Sequence, residues 1–236
     1  DGFSSITIGS TTGTGAIAVN YAGSYTFTDP LTIRSASSGG GAITVSDALN
    51  TGTNSLTITS GGAVSLVAVT SGTLGVTGTG ITLNGNVTTS GTQTYTGAVT
   101  LGANVALTTT DAILTFSSTV DSDSSSSARS LTTNLGTANL VLSGNIGATY
   151  ALNALTINNT VTIAGNVTTA GAQAYNGNVV VSATNANLST LGNSGSGANI
   201  SFAGNIDGTT ANANSLYLVS GAGQITVSGN IGSSVA

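Results

Sequence analysis

The sequence predicts an all-β fold: a parallel β-helix (β-solenoid) of roughly a dozen coils. Residues 85–97 return as residues 165–177, with every Gly, the Asn, the Gln and the Tyr unchanged. Short segments alternate apolar and polar side chains, which places the apolar ones on one face of a strand. No long window has the three-and-four spacing of an amphipathic helix, and Thr, Val and Ile are poor helix formers.

The repeat indicates one continuous structure over residues 1–236. The first motif aligns with its copy at an offset of 80 (165 − 85), whereas residues 130–147 align with 215–232 at an offset of 85 (215 − 130). A changed offset indicates that loops vary in length between fixed strands. We therefore expect a single solenoid segment with long repeats at about 81–160 and 161–236, and a degenerate copy before residue 81.

The composition excludes several classes of protein. At 39% hydrophobic residues the chain is too apolar for a solvated disordered tail, and its 34 Gly without a three-residue period exclude collagen. The longest apolar run, residues 63–69, is too short for a membrane-spanning helix. The net charge of −5 leaves no basic surface for a phosphate backbone, so we expect no nucleic-acid partner.

The predicted strands follow one another along the whole chain, each marked by an apolar pair at i and i+2. Gly, Asn and the single Pro mark the corners between them. The pairs are, in order, Ile6/Ile8, Ile17/Val19, Tyr25/Phe27, Leu31/Ile33, Leu56/Ile58, Val64/Leu66, Leu74/Val76, Ile81/Leu83, Val105/Leu107, Leu114/Phe116, Leu140/Leu142, Leu155/Ile157, Val161/Ile163, Val179/Val181, Ile200/Phe202, Leu216/Leu218 and Ile225/Val227.

Strands this short favour a solenoid over a sandwich, because each can form one side of a coil but cannot span a sandwich. A coil of roughly 20 residues gives about a dozen coils and an axis of roughly 55 Å at the spacing between strands. The alternative is a string of Ig-like sandwiches, since the period of the long repeat is also a domain length. The shorter sub-repeats and the absence of Trp disfavour it.

A recurring Asn precedes Val or Ile at the predicted corners. We expect these residues to adopt left-handed backbone angles and to form a ladder of side-chain amides along the axis. A row of sugar-binding amides is the functional alternative. The residues are Asn86, Asn145, Asn166, Asn205 and Asn230.

The side chains available for catalysis are few. Without His or Cys the chain has no imidazole base, no thiol, no Ser/His/Asp triad and no ordinary zinc site. Asp121 and Asp123 could act as paired carboxylates on a glycan or contribute to a Ca²⁺ site, with Asp111 and Asp207 elsewhere. The run of Ser after Asp123 favours solvated turn residues, and Asp207 followed by Gly is interpreted as a turn. We predict no enzyme, no catalytic residues, no cofactor and no metal.

Four other side chains could contact a ligand. Arg34 and Arg129 could bind an acidic sugar, but isolated cations are better explained as surface groups. Tyr95 and Tyr175 occupy equivalent repeat positions and could form a stacking row for a glycan; Gln93 shares a face with Tyr95. The structural alternative is tyrosines stacked along the coil with their hydroxyls at the rim. Asn-x-Ser/Thr glycosylation triplets, expected by chance in this composition, begin at Asn86, Asn158, Asn166, Asn187 and Asn199.

Three segments near the start carry a resemblance: residues 1–9 (DGFSSITIG), 15–17 (GAI) and 27–35 (FTDPLTIRS). Together with the later Gly-Asn-Val-Thr-Thr units, they resemble the repeat regions of giant filamentous-haemagglutinin-like bacterial exoproteins of the two-partner-secretion adhesin type. The resemblance implies a right-handed β-helix, export across the outer membrane and a place at the bacterial cell surface or in the extracellular matrix. Because Asp1 is not an initiator Met, we expect an excerpt of a longer chain.

These observations lead to three hypotheses. The first is a structural β-solenoid shaft of a large secreted surface protein, acting in adhesion or as an extracellular fibre. The second is a self-assembling subunit of a filament, sheath or surface layer, whose copies join end to end through exposed strand edges. The third is a β-helix that binds or cleaves polysaccharide. The partners are accordingly neighbouring repeats, further copies of the chain or surface polysaccharide, with no membrane span.

Overall fold

The computed structural model describes residues 2–20 and 23–233, so Asp1 of the resembling segment lies outside the described residues. The described residues form 27 β-strands and one three-residue 3₁₀ helix, Gly192–Ser194. All strand pairs between these elements are parallel within the described residues, for example Leu31 with Leu56 and Leu155 with Gln173. The prediction of an all-β parallel solenoid is confirmed.

The strands are short because a corner interrupts the chain every few residues. Only two of those described, β10 and β12, continue around a corner. The strands are β1 Ile6–Gly9, β2 Ile17–Val19, β3 Ser24–Thr26, β4 Leu31–Arg34, β5 Ile43–Val45, β6 Ala48–Asn50, β7 Leu56–Thr59, β8 Val64–Leu66, β9 Val69–Ser71, β10 Leu74–Leu83, β11 Val87–Thr89, β12 Gln93–Leu101, β13 Val105–Thr108, β14 Leu114–Phe116, β15 Val120–Ser122, β16 Leu131–Asn134, β17 Asn139–Leu142, β18 Leu155–Ile157, β19 Thr160–Ile163, β20 Val167–Thr168, β21 Gln173–Tyr175, β22 Val179–Val181, β23 Asn185–Ser189, β24 Ile200–Phe202, β25 Ile206–Gly208, β26 Ser215–Val219 and β27 Ile225–Val227.

The chain visits three columns of strands in turn, and these columns are the three faces of the solenoid. Face A begins with β1, face B with β2 and face C with β3, and each strand pairs with the strand one coil later. β10 and β12 each contribute their first half to face A and their second half to face B. In coil 7 a single bridged residue, Ile146, takes the place of a face B strand.

The face A register defines the coils. From Ile6 to Ile231 this column advances ten coils, so a coil averages about 22 residues, within the usual range for solenoid repeats. Inserted corner residues make the coils longer than the estimate from the sequence, and the described residues therefore form ten coils rather than a dozen. Coil 1 begins at Ile6, and coils 2 to 10 begin at Leu31, Leu56, Leu74, Gln93, Leu114, Leu140, Val161, Val179 and Ile206.

The core is a continuous apolar interior that runs through the stacked coils. Alternate residues of each strand point inward and are buried, as in β4, where Leu31 and Ile33 are buried and Thr32 and Arg34 are not. Fully burying one such side chain contributes about 1.5–3 kcal/mol. In coils 1 and 10 the equivalent residues, such as Ile6 and Leu218, are only partly buried because no described coil covers them on one side.

The two copies of the long repeat lie on different faces. Val87 is on face C but its equivalent Val167 is on face B, and Tyr95 is on face A but Tyr175 is on face C. The first copy begins on face C of coil 4 and the second on face B of coil 8. With three faces in each coil, the second copy therefore begins eleven faces, or three and two thirds coils, after the first. The repeated unit is therefore a strand, a corner and the next strand, and it fits more than one corner of the coil.

Candidate functional site

A buried polar cluster surrounds Gln93 inside the solenoid. Its amide nitrogen donates to the carbonyl of Thr108 at 2.9 Å, with longer bonds to the Thr89 hydroxyl (3.3 Å) and the Val87 carbonyl (3.4 Å). Its side-chain oxygen accepts the hydroxyl hydrogen of Tyr95 at 3.0 Å. One side chain therefore joins two coils and a corner, and its polar atoms are satisfied away from water.

The same cluster recurs around Gln173 in the second repeat. Gln173 donates to the carbonyl of Ser189 at 2.9 Å and to the Thr169 hydroxyl at 3.2 Å, and it accepts from Tyr175 at 2.9 Å. Thr169 in turn donates to the carbonyl of Gly171, as Thr89 does to Gly91. These contacts explain why Gln and Tyr are retained in both copies, although the copies lie on different faces.

Each of these tyrosines stacks on a phenylalanine of the next coil. Ring centroids are 5.1 Å apart for Tyr95 and Phe116 and 4.9 Å apart for Tyr175 and Phe202. Both tyrosines are completely buried, and burial raises the pKa of both hydroxyls. The expected stacking along the coil is present, but the hydroxyls lie inside and not at the rim. Neither ring can stack on a glycan.

The recurring Asn residues lie at corners, as predicted, but their bonding differs from the prediction. The side-chain oxygen of Asn145 accepts the backbone N–H of Asn166, and that of Asn166 accepts the N–H of Asn187. Asn205 likewise accepts the N–H of Asn230 and donates its own N–H to Asn178.

Two features of this ladder follow from its geometry. None of the five predicted corner residues has a positive φ, so the left-handed backbone prediction was wrong for the described chain. Their side chains bond to backbone because a parallel coil leaves corner N–H groups without ladder partners. A ladder between side chains occurs instead at another corner, from Asn176 to Asn158 to Asn134.

The carboxylates predicted as candidates are mostly occupied by structural bonds. Asp111 has a positive φ and accepts the N–H and hydroxyl of Thr137, which lowers its pKa. Asp121 lies in β15 and accepts the N–H of Thr149 at 2.7 Å. Asp207 and Gly208 belong to β25 and pair with β22, so their interpretation as a turn was wrong. The strand continues through Asp207 and Gly208 because Ile206 points inward and all three residues pair with β22.

The two arginines have different environments. Arg129 forms two hydrogen bonds to Asp123, at 2.9 and 2.8 Å, and this pairing lowers the pKa of the Asp123 carboxyl and raises that of Arg129. Arg34 projects from β4 on face A beside Gly9, and its buried Nε has no hydrogen-bond partner in the described chain. The five Asn of the glycosylation triplets are all exposed or half-buried.

Three long loops lie along one corner of the solenoid, between faces B and C. They belong to coils 6, 7 and 9. Together with the last two residues of β15, Asp121 and Ser122, they comprise residues 121–130, 147–154 and 190–199, which we call the corner ridge. In coil 8 the same corner has only four residues, 169–172. Loops inserted on one side of a repeat scaffold are common positions for binding.

Direct hydrogen bonds join the loops of the corner ridge to one another. The N–H of Asn153 donates to the carbonyl of Arg129 at 2.7 Å, and the Asn153 amide donates to the Ser130 hydroxyl at 3.1 Å. Asn193 forms two bonds to the backbone of Ala151, at 3.2 and 3.0 Å, across coil 8. A Cβ on Gly192 would overlap that of Ala151, so the two loops are in close contact.

The outer surface of the corner ridge is polar, with one exposed aromatic ring. Tyr150 and Leu191 are each 42% exposed. The charged residues within its ranges are Asp121, Asp123 and Arg129, and the last two neutralise each other. Ser and Asn side chains there can donate and accept hydrogen bonds, and the Asp carboxylates can accept them. The arrangement suits non-covalent binding, and no group of three or more potential metal ligands occurs among the described residues.

Comparison with known proteins does not identify this chain: no protein-family model, no curated protein and no solved structure matches it. No helix within residues 2–20 and 23–233 is long and apolar enough to cross a membrane.

Sequence reasoning did not find the corner ridge. Tyr150, Leu191 and Asn193 belong to no repeated motif, and 42 residues separate Asn193 from its partner Ala151. The signal that could have found the ridge is the length of the coils. Coil 6 spans residues 114–139 and coil 9 spans residues 179–205. Both are much longer than coil 8, which spans residues 161–178.

Proposed function

We propose that this chain is a stretch of structural shaft in a large secreted bacterial surface protein, acting in adhesion or as an extracellular fibre. The observation that carries the proposal is the uninterrupted stack of ten coils. Each coil adds short strands on faces A and C and, except in coil 7, on face B, and these hydrogen-bond to the next coil. The molecule is therefore extended along one axis. Ten coils at the spacing of parallel strands correspond to roughly 48 Å.

The distribution of polar groups supports a structural role. Buried polar side chains such as Gln93 and Gln173 are used to join coils, and the corner Asn residues bond to backbone of the next coil. The carboxylates of Asp111, Asp121 and Asp123 accept hydrogen bonds from their own loops or neighbours. We propose that the chain acts without catalysis.

The surface location is supported by the resemblance to haemagglutinin-like repeat regions.

If the chain is a shaft of equivalent coils, deleting one whole coil should leave a protein that still folds. Residues 56–73 form coil 3, and Leu74 replaces Leu56 in the face A register when they are deleted. We expect the shortened protein to fold and its long axis to decrease by about 4.8 Å in small-angle X-ray scattering. Deleting only residues 56–63 removes one strand and the corner before the next, and this protein should unfold. A compact particle of unchanged length after deletion of coil 3 would contradict the proposal.

The location has its own test. Antibodies raised against the folded chain should label intact cells of the source bacterium in immunogold electron microscopy. Labelling only after cell lysis would exclude a surface location and leave the structural role in place.

A second candidate function is self-assembly into a filament, sheath or surface layer. It is favoured by the outer edges of β1, β2, β26 and β27, which have no partner strand in the described chain and carry no charged residue. Uncharged, open edges are sites of strand addition. Sedimentation velocity over a wide range of protein concentrations tests this function, and a constant monomer would exclude it.

A further inference from the structure

We propose that the corner ridge is a binding site for a neutral oligosaccharide or a polysaccharide chain. The ridge is defined above as residues 121–130, 147–154 and 190–199. The proposal rests on the proposed function in one respect: a shaft would carry this lateral site to glycans at a cell or matrix surface. The site itself depends on the loops and not on the length of the shaft.

The first argument is the order within the loops. The Asn193 side chain holds the coil 9 loop against the coil 7 loop by two hydrogen bonds to Ala151. The N–H of Ser122 donates to the carbonyl of Tyr150 at 3.0 Å, and the N–H of Thr149 donates to Asp121. Tyr150 is therefore flanked on both sides by bonded backbone. A surface that is ordered before binding loses less entropy when a ligand binds.

The second argument is the chemistry of the exposed groups. The Tyr150 ring is 42% exposed, and it follows Thr149, whose N–H is bonded to Asp121. The ridge also contains Asn153 and the Ser run from 124 to 127, whose side chains can donate and accept hydrogen bonds. Aromatic side chains with Ser, Gly and Asn form adaptable polar binding surfaces. A sugar matches this combination, because its hydroxyls both donate and accept hydrogen bonds while its C–H faces pack on an aromatic ring.

The third argument excludes other ligands. Arg129 is engaged by Asp123 through two bonds, which leaves a net charge of −1 on the ridge and no free cation for phosphate or sulfate. Tyr150 and Leu191 are the large apolar side chains that are exposed within it. From coil 6 to coil 9 the ridge runs roughly 14 Å along the axis. That length is short for a stable protein interface, which buries about 800 Å² on each partner.

The experiment uses the 236-residue chain and isothermal titration calorimetry. The probes are the neutral hexasaccharides of cellulose, starch, chitin, laminarin and mannan, with a heparin hexasaccharide as the anionic comparison. We expect saturable binding of at least one neutral probe. Tyr150→Ala should weaken it about tenfold, which is typical of the loss of a central aromatic contact. The matched control is Tyr217→Ala, because Tyr217 is 57% exposed on face B of coil 10, outside the ridge.

Each outcome decides the proposal. Binding of a neutral probe that Tyr150→Ala weakens and Tyr217→Ala does not would support it. Binding of heparin alone, equal binding by both variants, or no binding to any probe would overturn it. Circular dichroism of each variant should show an unchanged fold. A rod-shaped particle in scattering together with no glycan binding would reject this inference alone and leave the shaft intact.

Discussion

The hydroxyl of Tyr95 donates a 3.0 Å hydrogen bond to the side-chain oxygen of Gln93 two residues earlier, and both side chains are completely buried. The same bond joins Tyr175 to Gln173 on another face of the solenoid. Each bond fixes the orientation in which the Gln amide nitrogen donates to a backbone carbonyl, that of Thr108 in coil 5 for Gln93 and that of Ser189 in coil 9 for Gln173. A pair of adjacent inward residues thus determines the contact between coils at that corner.

Removing the Tyr95 hydroxyl should destabilise the protein. Tyr95→Phe retains the stacking on Phe116 but leaves the Gln93 oxygen without a donor, and an unsatisfied buried acceptor costs about 1–3 kcal/mol. The free energy of unfolding is measured by urea denaturation. Tyr150→Phe is the matched control and should change it by less than about 0.5 kcal/mol, because that ring is exposed. Equal losses in the two variants would contradict the buried role of the bond.

High pH should destabilise the protein through the same two tyrosines. Burial raises the pKa of Tyr95 and Tyr175 above the ordinary value of 10.0. A group whose pKa is raised by folding stabilises the folded state below its unfolded pKa, so this stability is lost as the pH rises above 10. Absorbance of ionised tyrosine should increase together with unfolding in an alkaline titration. The double variant Tyr95→Phe and Tyr175→Phe lacks both buried hydroxyls. Its increase in tyrosinate absorbance during unfolding should therefore be smaller than that of the unsubstituted protein.

The backbone at Gly97 should not tolerate a side chain. Its φ of +135° lies in the region that favours glycine, and a Cβ there would overlap the carbonyl oxygen of Gly78. Gly97→Ala should therefore cost more than about 1 kcal/mol. Gly75→Ala is the control, because its Cβ would meet nothing within 4 Å. Thermal unfolding of both variants tests this, and a Gly97→Ala melting temperature equal to that of the control would show that the corner adapts.

The Asn ladder should contribute modestly at each position. Asn166→Ala removes the acceptor of the Asn187 N–H and should cost about 0.5–1.5 kcal/mol, less if water replaces the bond. Asn187→Ala is a matched control because the Asn187 side chain forms no hydrogen bond within the described chain. The free energy of unfolding of both variants, measured by chemical denaturation, gives the contribution of the Asn166 hydrogen bond as their difference. Indistinguishable stabilities would mean that water substitutes fully for the side chain.

Low pH should loosen the loop of residues 121–130. Pairing with Arg129 holds the pKa of Asp123 below its ordinary value of 3.8. A carboxyl whose pKa is lowered by folding stabilises the structure above 3.8, and this contribution is lost as the pH falls through the lower folded value. Backbone amide signals of this loop in NMR should shift in that range. Asp123→Asn, which cannot titrate, should abolish the shift, and its persistence would assign the change to another group.

Much of the fold was predictable from residues near one another in the chain. The pairs Leu31/Ile33 and Leu155/Ile157 face inward because alternate residues of any strand share a face. Gly and Asn mark corners because they suit tight changes of direction. The absence of His and Cys excluded triads and ordinary zinc sites without any knowledge of the fold.

The candidate site was less predictable, because it depends on the total length of chain between coils. Whether Tyr95 and Tyr175 lie on one face is decided by every corner between them, and a few inserted residues change that length without changing any strand motif. Asn193 and Ala151 meet only because the coil 8 corner between them is short.

The sequence by itself determined the β class, the inward side of the strands marked by apolar pairs and the repetitive corners, since these depend on a two-residue alternation and on local backbone preferences. Only the tertiary structure decided which face each motif occupies, the burial of the tyrosine hydroxyls and the assembly of the corner ridge. These features arise from the stacking of parallel coils, which brings residues together at the strand spacing however far apart they are in the chain.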